Sequence, residues 1–233
     1  MSHTNPDGMP DFIQESEVAD NLLPQDIVDE LAAAAGSALP EVALFTVSPF
    51  TAEQFALKIL EIANQYLGVS RATDLAQVAK FLSIFGLNTR DNGEWVPFCA
   101  AGIAYSAAKA YCELAGIAFT PDTSIAVFQK ILPVIKARVF LPSASTGAMK
   151  ANAIGRGNWV SHTVSPSEIK KGWFVLYNWK GGTAPQHIGI VESAGDSLHT
   201  TEFNTSTANN SNGGAVSHRE RAYACVVGYI KLY

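Results

Sequence analysis

Between Thr51 and Ala137 the hydrophobic positions recur at helical spacing, and from Trp173 onward they fall in short alternating runs. Thr51-Ala-Glu-Gln54 has the form of a capping box, in which two side chains satisfy the orphan backbone N–H groups of a helix start. Phe55, Ile59, Ile62 and Tyr66 follow on one helical face. A second pattern runs from about Ser70 to Phe85 on Leu75, Val78, Leu82 and Phe85, with Gly86 as the expected C-terminal cap. After a loop at Asn88–Gly93, a long Ala-rich helix is predicted from Cys99 to Gly116. The next apolar segment, Ser124–Ala137, contains Pro133, which is expected to kink or end it.

Five strands are predicted beyond Trp173: Trp173–Asn178, His187–Glu192, Leu198–Asn204, Ala215–Arg219 and Cys225–Leu232. Gly/Asn/Ser-rich turns separate them. Helices first and a run of strands afterwards imply an α+β fold, with N-terminal helices packed on a C-terminal antiparallel β-sheet. Residues 1–50, with recurrent prolines and one short helical pattern at Asp26–Ala35, are expected to be an N-terminal extension. Residues 51–94 form a helical segment expected to pack on a following domain, 95–233.

Composition narrows the function. Nearly half of the 233 residues are hydrophobic and only 16% are charged, which describes a chain that buries a core. A net charge of −5 gives no electrostatic support for nucleic-acid binding, nor would it steer the protein toward anionic polymers. Three cysteines without CxxC or HExxH spacing suggest neither a disulfide framework nor zinc, so no metal and no cofactor are expected. The apolar stretch at 99–119 is interrupted by Lys109 and Glu113 and reads as a buried helix, with no membrane span. The first residues lack the basic and apolar regions of a signal peptide, which predicts synthesis in the cytoplasm and another route to any target outside it.

The candidate chemistry starts at Cys99. A thiol at the head of a helix sits where the dipole favours its thiolate, the nucleophilic form of cysteine. A histidine is needed as base, and His187 competes with His162, His199 and His218. In an extended strand Glu202 and Asn204 share a face, as do His187, Gly189 and Val191. A hairpin of the two strands brings His187 to Glu202 or Asn204, and the Cys99 helix, packed across the sheet, presents its N-terminus to that surface. Phe98 beside the thiol, Trp179 near the Gly181-Gly182 turn and Gln186 beside His187 are candidate substrate contacts. Against this stands the plain reading of each residue: a small buried thiol, a histidine meeting a local hydrogen bond, a solvated strand glutamate. Cys112 lies about 220° round the helix from Cys99 and is expected in the core, as is Cys225.

Pro97-Phe98-Cys99-Ala100, Lys171-Gly172-Trp173-Phe174-Val175-Leu176-Tyr177, His187-Ile-Gly-Ile-Val and Thr201-Glu202-Phe203-Asn204-Thr205-Ser206 occur in an order that resembles the cysteine, histidine-dependent amidohydrolase/peptidase (CHAP) domains of the papain-like superfamily. The resemblance covers about residues 95–233. It implies a papain-like fold with Cys99 as nucleophile, His187 as base, Glu202 orienting His187 and Asn204 as a further polar residue of the site. It also implies a peptidoglycan substrate, cut at the muramoyl–L-alanine amide or within the peptide stem or bridge. A phage lysin, or an effector delivered by a secretion apparatus and countered by an immunity protein, would fit that substrate. The alternatives are a papain-like amidase or transferase acting on a small cytoplasmic amide, and a catalytically inactive CHAP-fold binding module. About fifty residues, Ile117 to Pro166, separate the Cys99 helix from the first sheet motif, more than a compact member needs.

Overall fold

The computed structural model describes residues 50–206 and 210–233, so the helical pattern at Asp26–Ala35 lies outside the described residues. Helix α1 (Ala52–Asn64) opens on the expected capping box: Thr51 Oγ1 accepts from the Gln54 N–H at 3.1 Å and Gln54 Oε1 from the Thr51 N–H at 2.7 Å. Helix α2 (Leu75–Ser83) starts later than its hydrophobic pattern. Ser70 Oγ first accepts from the Ala72 and Thr73 N–H groups, a turn that competes with helix, and Asp74 then caps the true start. The expected Asn88–Gly93 loop forms, with the two residues after it, a hairpin of β1 (Arg90–Asp91) and β2 (Glu94–Trp95). Asn92 and Gly93 turn it with φ of 49° and 85°, the left-handed pair that matches strand twist.

Helix α3 (Cys99–Ala115) ends at Gly116, whose φ of 69° is accessible to glycine at little cost. Helix α4 (Ser124–Arg138) does not end at Pro133; the proline removes one N–H donor while the apolar face around it, from Val127 to Ile135, stays buried. Two elements of the 117–166 segment escape the sequence pattern. They are α5 (Thr146–Gly155), capped by Ser145, and the short strand β3 (Trp159–Ser161).

Strands β4 (Phe174–Tyr177), β5 (His187–Ala194), β6 (Leu198–Thr205), β7 (Ala215–Arg221) and β8 (Val226–Ile230) complete a six-stranded sheet in the order β3-β8-β4-β5-β6-β7, antiparallel throughout. The fold is α+β. Cys225 falls in a turn ahead of β8 and is half-buried, not in the core.

One apolar cluster joins α1 to α4 with one sheet face, through Phe174, Leu176, Ile188, Ile190 and Phe203. The opposite face carries Val175, Tyr177, Val191 and Tyr229 under Trp173. Helix α3 therefore packs on the face opposite to the one that carries His187 and Glu202, contrary to the sequence expectation. The reason is hydrophobicity: Ile188, Ile190 and Phe203 offer an apolar surface continuous with the helices, whereas the other face carries His187 and Glu202 among its apolar residues. Gly102 permits the close approach, because a methyl there would lie 2.2 Å from the Phe203 ring. Gly102→Ala is expected to cost about 1–3 kcal/mol by overpacking. Thermal unfolding checks this, and an unchanged Tm contradicts the packing argument.

Candidate active site

His187 opens β5 opposite Tyr177 of β4, and Glu202 on β6 stands directly across from Gly189. Since Gly189 has no side chain, the Glu202 chain lies over it; a methyl at 189 would come within 2.8 Å of Glu202 Cγ. The carboxylate thereby reaches His187, with Nε2 and Oε2 3.0 Å apart and both side chains fully buried. Because Nε2 is spent on Glu202, the interaction with Cys99 falls to Nδ1. That atom is buried and has no hydrogen bond of good geometry, while the thiol acts on the ring from close by. Such a loose nucleophile–base contact is ordinary before substrate binds.

The electrostatics make the histidine basic. Burial alone would lower the His187 pKa, but the nearby Cys99 thiol and the Glu202 carboxylate hydrogen-bonded to the ring raise it to about 9. Burial would likewise raise Glu202, yet hydrogen bonds from Arg221 and His187 bring it down to about 2. A buried, basic imidazole held by a carboxylate on one side and facing a thiol on the other is an arrangement that can take up the thiol proton and later donate it. Phe98 supplies no side-chain cap to α3, so the first-turn N–H groups, which have no intrahelical acceptor, gain none from that residue.

Cys99, His187 and Glu202 are thus brought together. Asn204 is not joined to them as strand alternation predicts. The β6–β7 register shifts between Glu202 and Thr205, and Asn204 takes a φ of 60°. That bulge re-aims its side chain, whose Oδ1 accepts from Arg71 Nη2 at 2.8 Å and whose Nδ2 donates to the Ser211 carbonyl at 2.9 Å. Of the two groups proposed to hold the imidazole, Glu202 is the one in contact.

The substrate contacts expected beside the thiol also need correction. Phe98 is fully buried and stacks on Phe81, so it packs beneath the helix start. Gln186 accepts from the Trp179 N–H through Oε1 at 3.3 Å and closes the loop that leads into β5. Trp179 is half-buried, stacked on Tyr177 with ring centroids 5.5 Å apart and 5.6 Å from His187. It covers the base as well as edging the site. The 117–166 segment contributes here: Thr146 Oγ1 and Lys150 Nζ of α5 donate to the carbonyls of Pro185 and Thr183, bracing that loop.

Two residues were not visible as site members in the sequence. Arg221, at the end of β7, donates to both Glu202 oxygens. Arg71 precedes α2 and reaches the Val96 carbonyl at 3.1 Å as well as Asn204, with its guanidinium 5.5 Å from the Phe98 ring. Burial and Arg90 lower its pKa and the nearby Cys99 opposes them, so the cation lies within electrostatic reach of the thiol. No local motif surrounds either arginine. The rival histidines His162, His199 and His218 are exposed, and His218 pairs with Glu192 at 2.6 Å. Cys112 is buried, and desolvation pushes its thiol up to about 12, which keeps it protonated. Among the described residues no group of three His, Cys, Asp or Glu is placed to hold a metal ion, and no helix is long and apolar enough to cross a membrane.

No protein-family model matches the chain, and no curated protein matches it. Two solved structures are similar to it: the crystal structure of Ly7917, and that of Ly7917 with the hydrolyzing product of MDP. Each is 17% identical to this chain with a TM-score of 0.35, over 76% of this chain. The chain spans 61% and 62% of the length of those structures. A likeness of that degree carries no argument about the chemistry here.

Proposed function

We propose that this protein is a cysteine-dependent peptidoglycan hydrolase with a papain-like fold, an N-acetylmuramoyl-L-alanine amidase or a peptidoglycan endopeptidase. The observation that carries the reaction class is the contact of the α3 head with a buried His187–Glu202 pair. His187 and Glu202 are buried together as a hydrogen-bonded pair, and Cys99 is close enough to act on the ring, which supports a catalytic role for the three. The substrate class rests on the resemblance of the Cys99, His187 and Glu202 motifs to CHAP domains.

The Cys99 sulfur attacks the amide carbonyl carbon after its proton has passed to His187. A C–S bond forms and the carbonyl oxygen becomes an oxyanion facing the N–H groups at the start of α3. Collapse breaks the C–N bond, and the His187 imidazolium gives its proton to the leaving amine. Water, deprotonated by His187, then splits the thioester and frees the acid and the thiol. Glu202 holds the ring in register through each of these proton transfers.

Delivery as a phage lysin or as an injected effector with its own immunity protein belongs to the same proposal. Purified sacculi test it: soluble muropeptides should appear, and mass analysis of their ends names the bond. Sacculi left intact by a protein whose Cys99 alkylates rapidly would replace peptidoglycan with a small amide. Intact sacculi together with an inert Cys99 would leave a binding module.

A further inference from the structure

We infer that Arg221 is a positioning residue of this site, which holds Glu202 ionised and aimed at His187. The inference rests on Cys99 and His187 being the reactive pair, but not on peptidoglycan being the substrate. Its ground is geometric. Arg221 Nε donates to Glu202 Oε1 at 2.9 Å and Nη2 donates to Oε2 at 2.6 Å, a two-pronged fork that fixes the carboxylate plane. Oε1 also accepts from Thr200 Oγ1 at 2.8 Å, and Oε2 is the oxygen that meets His187. Every acceptor site of the carboxylate is thereby used, and it has one orientation.

Arg221 is itself held. Its Nη2 donates to Thr205 Oγ1 at 3.1 Å and its Nη1 to Asn210 Oδ1 at 2.6 Å, while the guanidinium lies 5.3 Å from the Trp179 ring and 5.8 Å from that of Tyr177. The titratable or charged groups facing Glu202 are therefore His187 from β5, Arg221 from β7 and the Tyr177 phenol from β4. Cys225 acts on Arg221 from the turn before β8, and Cys99 of α3 acts through His187.

Charge explains why an arginine is needed. Thiolate, imidazolium, carboxylate and guanidinium alternate in sign and sum to zero, so the reactive form of the site carries no net buried charge. Without Arg221 the sum is one negative charge in a poorly screened interior, and proton uptake by Glu202 relieves it. A protonated Glu202 is a weaker acceptor for His187 and no longer stabilises an imidazolium.

The test follows Cys99 alkylation by iodoacetamide, located by peptide mass analysis, and muropeptide release, both from about pH 4 to about pH 10. Arg221→Met is expected to lower both rates about 10–100-fold at neutral pH. Its acid limb should move up by at least about one pH unit, since buried Glu202 then titrates within the range. Arg221→Lys keeps the charge, so its acid limb should stay with that of the parent and most of the rate should return. Glu202→Gln combined with Arg221→Met should lose no more than Glu202→Gln alone, because Arg221 acts through Glu202. An Arg221→Met protein whose loss only tracks its folded fraction, with the acid limb unmoved, overturns the inference. Intact sacculi with a shifted alkylation profile would remove the substrate proposal and support Arg221. A parent Cys99 alkylated no faster than Cys225 would overturn the inference together with the reactive pair.

Discussion

Cys99→Ala is expected to abolish muropeptide release from sacculi, a fall of roughly 10³–10⁶-fold, with the fold unchanged. The side chain it removes is small, sits at the head of α3 and is 4% exposed, so alanine leaves little void and the thermal transition should barely move. The loss is chemical: without the sulfur there is no thioester, and His187 has no thiol to deprotonate. Cys112→Ala is the matched control. That thiol is pushed up to about 12 by burial and lies on the core side of the same helix, so its removal should leave the rate nearly intact. Undiminished release by Cys99→Ala would exclude a covalent mechanism through this residue.

The second large effect is expected for Glu202→Gln, which strikes both activity and stability. Gln can still accept from His187 but carries no charge, so the imidazolium is no longer favoured; the rate should fall roughly 10³–10⁴-fold. The same change strands the buried Arg221 guanidinium without its carboxylate, at a cost of about 3–5 kcal/mol.

The sign of the pH dependence follows from the two shifts. Glu202 is depressed from 4.5 to about 2, so its contribution is complete above 4.5 and is lost as pH falls through about 2. His187 is raised from 6.5 to about 9, so its contribution is complete below 6.5 and is lost as pH rises through about 9. The difference in Tm between the parent and Glu202→Gln should therefore be widest between pH 4.5 and 6.5 and narrow on both sides. A difference independent of pH would show that the pair does not exchange protons with folding. Activity should show a basic limb near 9, where His187 loses the proton it must donate.

Local rules accounted for the regular elements. The Thr51 capping box, the Cys99 start and Gly116 end of α3, and the five strands after Trp173 follow from caps, glycine and period alone. They fail where side chains compete with the backbone or where a segment has little amphipathic signal. Ser70 and Thr73 delayed α2, and α5 is an Ala/Gly/Asn-rich helix whose buried residues are few. In the site, Glu202 is found against His187 as period-two alternation and the hairpin expected, since Gly189 leaves the path open. Asn204 breaks the same rule because a bulge is a register event between strands, set by how β7 pairs with β6.

Taken by itself, the order of residues determined the α+β class, the thiol at a helix head and the histidine and glutamate on neighbouring strands. These depend on contacts within a few residues or on strict alternation, which a single chain carries on its face. Tertiary structure alone decided that α3 lies on the Phe203 side of the sheet, that Phe98 is core, and that Asn204 serves Arg71. It also brought Arg221 onto Glu202 and Arg71 within electrostatic reach of Cys99. Half-buried Arg71 is held by acceptors from separate segments at Val96, Asn204 and Asn212, and for Arg221 the physical reason is burial. A buried charge is tolerated only where distant segments converge to solvate and neutralise it, and that convergence is a property of the folded chain.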